Sequence, residues 1–498
     1  VGGVLRRLWH FAEVQPEAPA FIDQRGSTSY GELRRRVQAM AGWLHERGVR
    51  SGDVVAVVLE RNLDNALASL EQFYALAYLG AAVLPIYPDV PPANVARLVS
   101  RIPARMAIAV SPGRAVADLP LLDASTVDLA APRWLERVPP PAKDDAGPFL
   151  YHFTSGTTGD SKIILFGAEQ FVDWSLAPSN PFGFTPGDRL LPPGPWPSKA
   201  GLRDLFRVQI FGGALVNLAF PKTWQELAIR VDRHGVTCIS GSPSQLRRLL
   251  GVERPPGMQP RRLRVLTLAG APITPSEIET ARRLVTPNVY VDYGSNEISM
   301  IALLRPEDPI GSRGNVGRMI PKIEVEAVDD ENRPLPPGGI GLLRFRAPWM
   351  ANSYVDNPAD TAERFRGGWF YPGDRGSITA DRTLTLEGRA DDVINFASIK
   401  ITPADVEPEL LKHPNVADVV LVGVPDPGAG EVPVAFVVLR GKITGAELTV
   451  DWAQWIDGKE MPRRVVTMQE IPRNPEGKVL RNKLREIYLA ADAAAKRS

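Results

Sequence analysis

Thr154-Ser155-Gly156-Thr157-Thr158-Gly159-Asp160-Ser161-Lys162 is the stretch on which the reading of this chain turns. Its hydroxyl side chains, two glycines and closing lysine sit between two short apolar runs, residues 149–153 and 163–166. Runs this short, bounded by turn residues, predict strand–loop–strand. Glycines let a backbone wrap around a ligand, and N–H groups with hydroxyls can surround phosphate oxygens. Lys162 would add a point charge. It stands three residues past Gly159, with a strand expected next. A Walker A loop instead places Gly-Lys-Ser/Thr at the start of a helix, so this is another kind of phosphate loop.

On both sides of the loop, strand and helix patterns alternate. Upstream, a helix is expected over 29–48, with Ser29 as N-cap and Glu32 three residues on. Strands at 54–59, 81–86 and 105–110 and helices at 63–79 and 91–102 follow. Downstream, 202–210, 223–234 and 243–251 read as helices between strands at 214–218, 236–240, 263–268 and 289–293. Such alternation predicts a parallel α/β sheet. From about 310 strands dominate, at 323–328, 341–346, 377–379 and 383–386, which predicts a small β subdomain. An α+β region is expected after Gly388-Arg389, with helices at 404–412 and 481–493.

At 498 residues the chain exceeds one core. A net charge of +1 argues against a nucleic-acid footprint. One cysteine, Cys238 in an apolar run, rules out a disulfide framework and suits a reducing cytosol. No signal peptide and no membrane span is expected, so the location expected is cytoplasmic. Histidines number five, in no metal-like spacing.

Further stretches carry chemistry in a fixed order. Ala269-Gly270-Ala271-Pro272 ends a strand. Tyr293-Gly294-Ser295-Asn296-Glu297 ends another. Gly368-Trp369-Phe370-Tyr371-Pro372-Gly373-Asp374 contains a carboxylate, which can accept the two hydrogen bonds of a vicinal diol. Gly388-Arg389-Ala390-Asp391-Asp392 and Pro472-Arg473-Asn474-Pro475-Glu476-Gly477-Lys478 complete the series. Together with the phosphate loop, this order resembles the adenylate-forming superfamily of acyl-CoA synthetases, peptide-synthetase adenylation domains and luciferases, over nearly the whole chain.

The resemblance implies residue roles. Thr154, Ser155, Gly156, Thr157, Thr158, Gly159 and Lys162 would hold phosphates. Gly270, Ala271 and Pro272 would lie along adenine. Tyr293, Gly294, Ser295 and Asn296 would line the nucleotide, and Glu297 would hold Mg²⁺. Asp374 would bind the ribose hydroxyls and Arg389 the ribose or α-phosphate. Lys478 would be the main catalytic residue, approaching the α-phosphate and carboxylate as charge develops. Asp391 would be the pivot between an N-terminal ATP- and substrate-binding domain, 1–388, and a mobile C-terminal lid, 389–498. Trp196, Ser198, Lys199, Ser240, Gly241 and Ala269 would line the acid pocket. There Lys199 could meet a second anionic group or simply face water.

The implied reaction uses ATP and Mg²⁺ to turn a small carboxylic acid, expected to be aryl or polar, into an acyl-AMP. A coenzyme A thiol or a carrier-protein pantetheine would then accept the acyl group. The chain departs from the family pattern at Ser161, Ile163, Asn296, Pro372 and Ser398. Ser398 and Lys400 fall on the expected thiol-acceptor face, and serine stands where relatives carry glycine. A divergent ligase serving an amine or small inorganic anion, or an inactive nucleotide-binding homologue, stays open beside the main reading. With no carrier-like region after the lid, a free-standing enzyme is expected.

Overall fold

The computed structural model describes the chain except residues 1–2, 61–64, 89, 91, 112–115, 143–146, 154–161, 177–179, 195, 197–198, 259, 261, 398, 427, 459, 474–478 and 496–498. Side chains of residues 4, 176, 199–200 and 493–495 are also outside the description.

Valine-rich strands buried on both faces need helices on both sides, which is the condition for a parallel sheet. Val54–Val58 is one, buried at all five positions. It lies in a six-stranded sheet between Ala104–Ala109 and Ala82–Ile86, parallel to both. Pro148–Phe153 continues the parallel order, and Ile163–Gly167 returns antiparallel beside it. The strand–loop–strand expectation is therefore met on both flanks of the phosphate loop.

A second sheet has 15 strands. Within it Arg189–Leu191, Cys238–Gly241, Val265–Ala269 and Val289–Ser295 run parallel as neighbours. Ser299–Leu304 then pairs antiparallel with Val289–Ser295. Through that hairpin, the strands expected as a small β subdomain continue the large sheet as an antiparallel wing. This sheet ends at Arg389, and a separate five-stranded sheet begins at Ile394.

Capping explains several helix starts. Ser29 accepts from Glu32 N to open Tyr30–Glu46, as its sequence predicts. Ser242 and Gln245 form a reciprocal capping box at Pro243–Leu250. Cys238 is a buried core residue, and burial followed by the nearby Asp188 charge pushes its thiol up to about 12. No helix among the described residues is long and apolar enough to cross a membrane.

Candidate active site

Three neighbouring parallel strands deliver the predicted site segments at their carboxyl ends, where open α/β sheets bind ligands. Ser240 and Gly241 close Cys238–Gly241, Ala269 closes Val265–Ala269, and Tyr293-Gly294-Ser295 closes Val289–Ser295. Register puts them side by side: Gly241 opposite Leu268, and Ala269 opposite Asp292. Gly270, Ala271 and Pro272 follow directly, and the Pro272 carbonyl accepts from Arg247 at 3.0 Å.

The Tyr293–Glu297 motif occupies a bulged hairpin, with the register shifting between Tyr293 and Gly294. Bulges re-aim side chains beside active sites. A Cβ at Gly294 would lie 2.0 Å from the Ser299 carbonyl oxygen, so only glycine fits. Gly294→Ala is expected to cost roughly 3 kcal/mol, the upper end for overpacking, and to lower the thermal midpoint. An unchanged melting curve would contradict this account of the bulge.

Beneath the hairpin lies a buried charge cluster. Arg207 Nη1 meets Asp292 Oδ2 at 3.3 Å, and Arg203 Nη1 meets the same oxygen at 3.6 Å. Arg207 also donates to the Ser175 carbonyl and to Ser299 Oγ. Removing one partner of such a pair leaves an uncompensated charge, costing about 3–5 kcal/mol. The cluster thus ties the helix Lys199–Ile210 to both arms of the nucleotide hairpin.

Asp374 stands between two donors. Tyr293 Oη donates to Oδ2 at 2.5 Å, and Arg389 Nη1 donates to Oδ1 at 3.3 Å. A carboxylate has about four lone-pair positions, so two remain for a vicinal diol. Burial, then the Asp374 charge, raises the Tyr293 pKa well above its ordinary value, keeping that hydroxyl a donor. Gly373 makes the close approach possible. It adopts φ +89°, and a Cβ there would lie 2.6 Å from Arg364 Nη1 and 2.9 Å from Arg389 Nη2.

Arg389 also donates to the Pro372 carbonyl at 3.0 Å and to Asp391 Oδ2 at 2.9 Å. Arg364 reaches the same Asp391 oxygen at 3.3 Å. Burial pushes the Asp391 carboxyl up, but the Arg389 bond and the charges of Arg389 and Arg364 hold it below the usual range. The next residue faces the other way. Asp392 Oδ2 lies 3.2 Å from Arg481 Nε on the C-terminal helix, and Arg481 also pairs with Glu407 at 2.8 Å. Consecutive aspartates are therefore fastened to different bodies of secondary structure.

Glu297 is buried. Tyr354 Oη donates to its Oε1 at 2.8 Å, leaving the second oxygen as an acceptor. Mg²⁺ in nucleotide sites takes one or two protein carboxylates with phosphates supplying further oxygens, and a single buried glutamate fits that demand. Asn296 Oδ1 lies 3.3 Å from His152 Nε2, and its carbonyl accepts from the Trp174 indole at 2.9 Å. Lys162 pairs with Asp360 at 3.1 Å and lies over the Tyr354 ring. Burial raises the Asp360 carboxyl, but Lys162, Asn357 and Arg364 together bring it below its ordinary value.

Not every predicted residue lines the site. Trp196 is 1% exposed, its ring packs edge-on against Phe73, and its indole donates to the Ala66 carbonyl at 3.0 Å. A buried indole needs such a partner, and finding it in the core turns Trp196 into a wall. A Cβ at Gly241 would lie 2.9 Å from the Phe220 ring, a neighbour of Gly241 that the sequence reading missed. Lys199 opens the helix Lys199–Ile210, and Lys400 is exposed on the strand Ile399–Ile401. Thr154, Ser155, Gly156, Thr157, Thr158, Gly159, Ser198, Ser398 and Lys478 lie outside the described residues. His152, Tyr354, Asp360 and Arg364 had no signal in the motifs. Tyr354, Asp360 and Arg364 meet the site only through space, whereas His152 lies on the strand that enters the phosphate loop.

Comparison with known proteins agrees with this geometry. The profile of AMP-binding enzymes matches residues 8–355, and that of the AMP-binding enzyme C-terminal domain matches 405–478. The chain is 30% identical over 495 residues to 2-succinylbenzoate–CoA ligase of Geobacillus sp. (strain WCH70), covering 96% of each. It is 28% identical to 4-chlorobenzoate–CoA ligase of Arthrobacter sp., covering 97% of this chain and 94% of the relative. Among solved structures, the amide bond synthetase McbA from Marinactinospora thermotolerans superposes with a TM-score of 0.79 at 25% identity, over 98% and 99% of the two chains. The chain belongs to the AMP-binding enzyme family and is an AMP-forming ligase.

Proposed function

We propose that this ligase activates an aryl or small polar carboxylic acid with ATP and Mg²⁺ and passes the acyl group to coenzyme A. The observation that carries this reading is Asp374, held between Tyr293 and Arg389 with two acceptor positions to spare, together with the buried Glu297. The substrate carboxylate oxygen attacks the α-phosphorus. The bond to the β-phosphate bridging oxygen breaks, and pyrophosphate leaves. The coenzyme A thiolate then attacks the acyl carbon and AMP departs. Such chemistry asks for positioning and charge neutralisation rather than a protein nucleophile.

The phosphate loop and Lys162 would hold the leaving phosphates, and Lys478 would neutralise charge at the α-phosphate. Bound Mg²⁺ would supply further neutralisation at the phosphates, with Glu297 as its protein ligand. Ser240, Gly241 and Ala269 would bound the acid pocket. The small side chains at those strand ends leave room for a ring, and Lys199 at its helix start is the candidate partner for a second carboxylate. Rotation at Asp391 would exchange Lys478 for the thiol-facing surface bearing Ser398 and Lys400. The single buried thiol suits a cytoplasmic setting.

The test incubates the protein with ATP, Mg²⁺, coenzyme A and a panel of benzoates, including succinylbenzoate, and reads acyl-CoA by mass spectrometry. A thioester is the expected product. Acyl-AMP accumulating with no thioester would favour a second reading, amine transfer, which Ser398 and the likeness to an amide bond synthetase motivate. Adding amines, or a carrier protein, to the same mixture separates those acceptors.

A further inference from the structure

Tyr354 touches both Glu297 and Lys162, two charged residues assigned to the phosphate region. The side chain is 5% exposed. Its hydroxyl donates to Glu297 Oε1 at 2.8 Å, and its ring centroid lies 5.0 Å from Lys162 Nζ. The Phe365 ring meets it edge-on at 5.2 Å. The backbone is fixed as well. Tyr354 N donates to Thr361 Oγ1 at 3.0 Å, and Val355 N donates to the Ile163 carbonyl at 2.8 Å. The latter bond fastens this segment to the strand that leaves the phosphate loop.

We propose that Tyr354 is a positioning residue that sets Glu297 for Mg²⁺ and registers it against Lys162. A hydroxyl donating to a carboxylate makes a charge-assisted bond, which fixes the carboxylate's orientation. With one oxygen so held, the other is presented as the metal donor. The ring face attracts the ammonium of Lys162, so one rigid side chain sets the spacing between the lysine and the carboxylate. Residues that orient a ligand in this way typically change metal affinity when replaced. The inference rests on the ATP- and Mg²⁺-dependent reading above.

Tyr354→Phe separates the two contacts, because it keeps the ring and removes the hydroxyl. Calorimetry would measure Mg²⁺ binding to the complex with α,β-methylene-ATP, and AMP binding without metal as the control. The variant is expected to bind Mg²⁺ about tenfold more weakly, the lower end for loss of such a partner, with AMP affinity unchanged. Equal Mg²⁺ affinity in the two proteins would overturn the inference. A wild type whose nucleotide complex takes up no Mg²⁺ would overturn the underlying reading instead. Should the variant not fold, 3-fluorotyrosine placed at 354 in the full chain gives a second readout. Its ¹⁹F resonance is expected to shift when Mg²⁺ joins the nucleotide complex, and a resonance that stays put would overturn the inference.

Discussion

Lys478→Ala is expected to slow acyl-adenylate formation about 10²–10³-fold, the size of effect seen when one preorganised transition-state donor is removed. The expectation joins sequence and structure. Lys478 ends a Pro-Arg-Asn-Pro-Glu-Gly-Lys run, and the base of that loop is closed on both sides. Arg473 bridges Val479, and Leu480 N donates to the Pro472 carbonyl at 2.9 Å. Arg473 is tied in turn to Asp418 at 2.8 Å. The residues that flank the lysine run are thus fastened to each other and, through Asp418, to the strand Val416–Asp426. On the proposed division of labour, the thiol step should retain nearly all its rate when synthetic acyl-AMP is supplied. Equal loss in both half-reactions would contradict this division of labour.

Asp391→Pro is expected to spare adenylation and slow thioester formation by about 10²-fold or more, the scale that misplacement by about an ångström can cost. The physical reason lies in the opposed anchoring of two neighbours. Asp391 is bound to Arg389 and Arg364, whereas Asp392 is bound to Arg481 on the C-terminal helix. Any rotation of one body against the other must be absorbed by the few backbone torsions at residues 391 and 392. Proline fixes one of them. Substitution also removes the Asp391 carboxylate, so Asp391→Ala is the control: it loses the ion pairs but keeps the torsion free. Thioester formation surviving in alanine and failing in proline is the expected pattern. Loss of adenylation in the proline variant would place the pivot elsewhere.

How much of this was legible beforehand depends on what each feature rests on. Periodicity and caps are local, so Tyr30–Glu46 and the paired strands around the phosphate loop could be read from residue order. Local signals were also overlooked. Thr274 with Glu277 and Thr444 with Glu447 form capping boxes that open Pro275–Leu284 and Gly445–Trp452. The motif residues Tyr293, Asp374 and Arg389 do converge, although 81 positions separate the first two. Tyr354 was illegible because a tyrosine among loop residues carries no mark of a carboxylate 57 positions away. The partner of Trp196 was equally illegible: the resemblance implied a pocket position, and only the fold shows its indole donating to the Ala66 carbonyl 130 positions away.

The central claim, adenylation of an aryl or small polar acid, is tested most directly by substrate-dependent exchange of labelled pyrophosphate into ATP. The screen would run with Mg²⁺ over benzoates, succinylbenzoate, short-chain, hydroxy, amino and dicarboxylic acids. Exchange that appears with an aryl or small polar acid, and vanishes without Mg²⁺, is the predicted result. A protein that binds ATP yet exchanges no pyrophosphate with any of these acids would contradict the account.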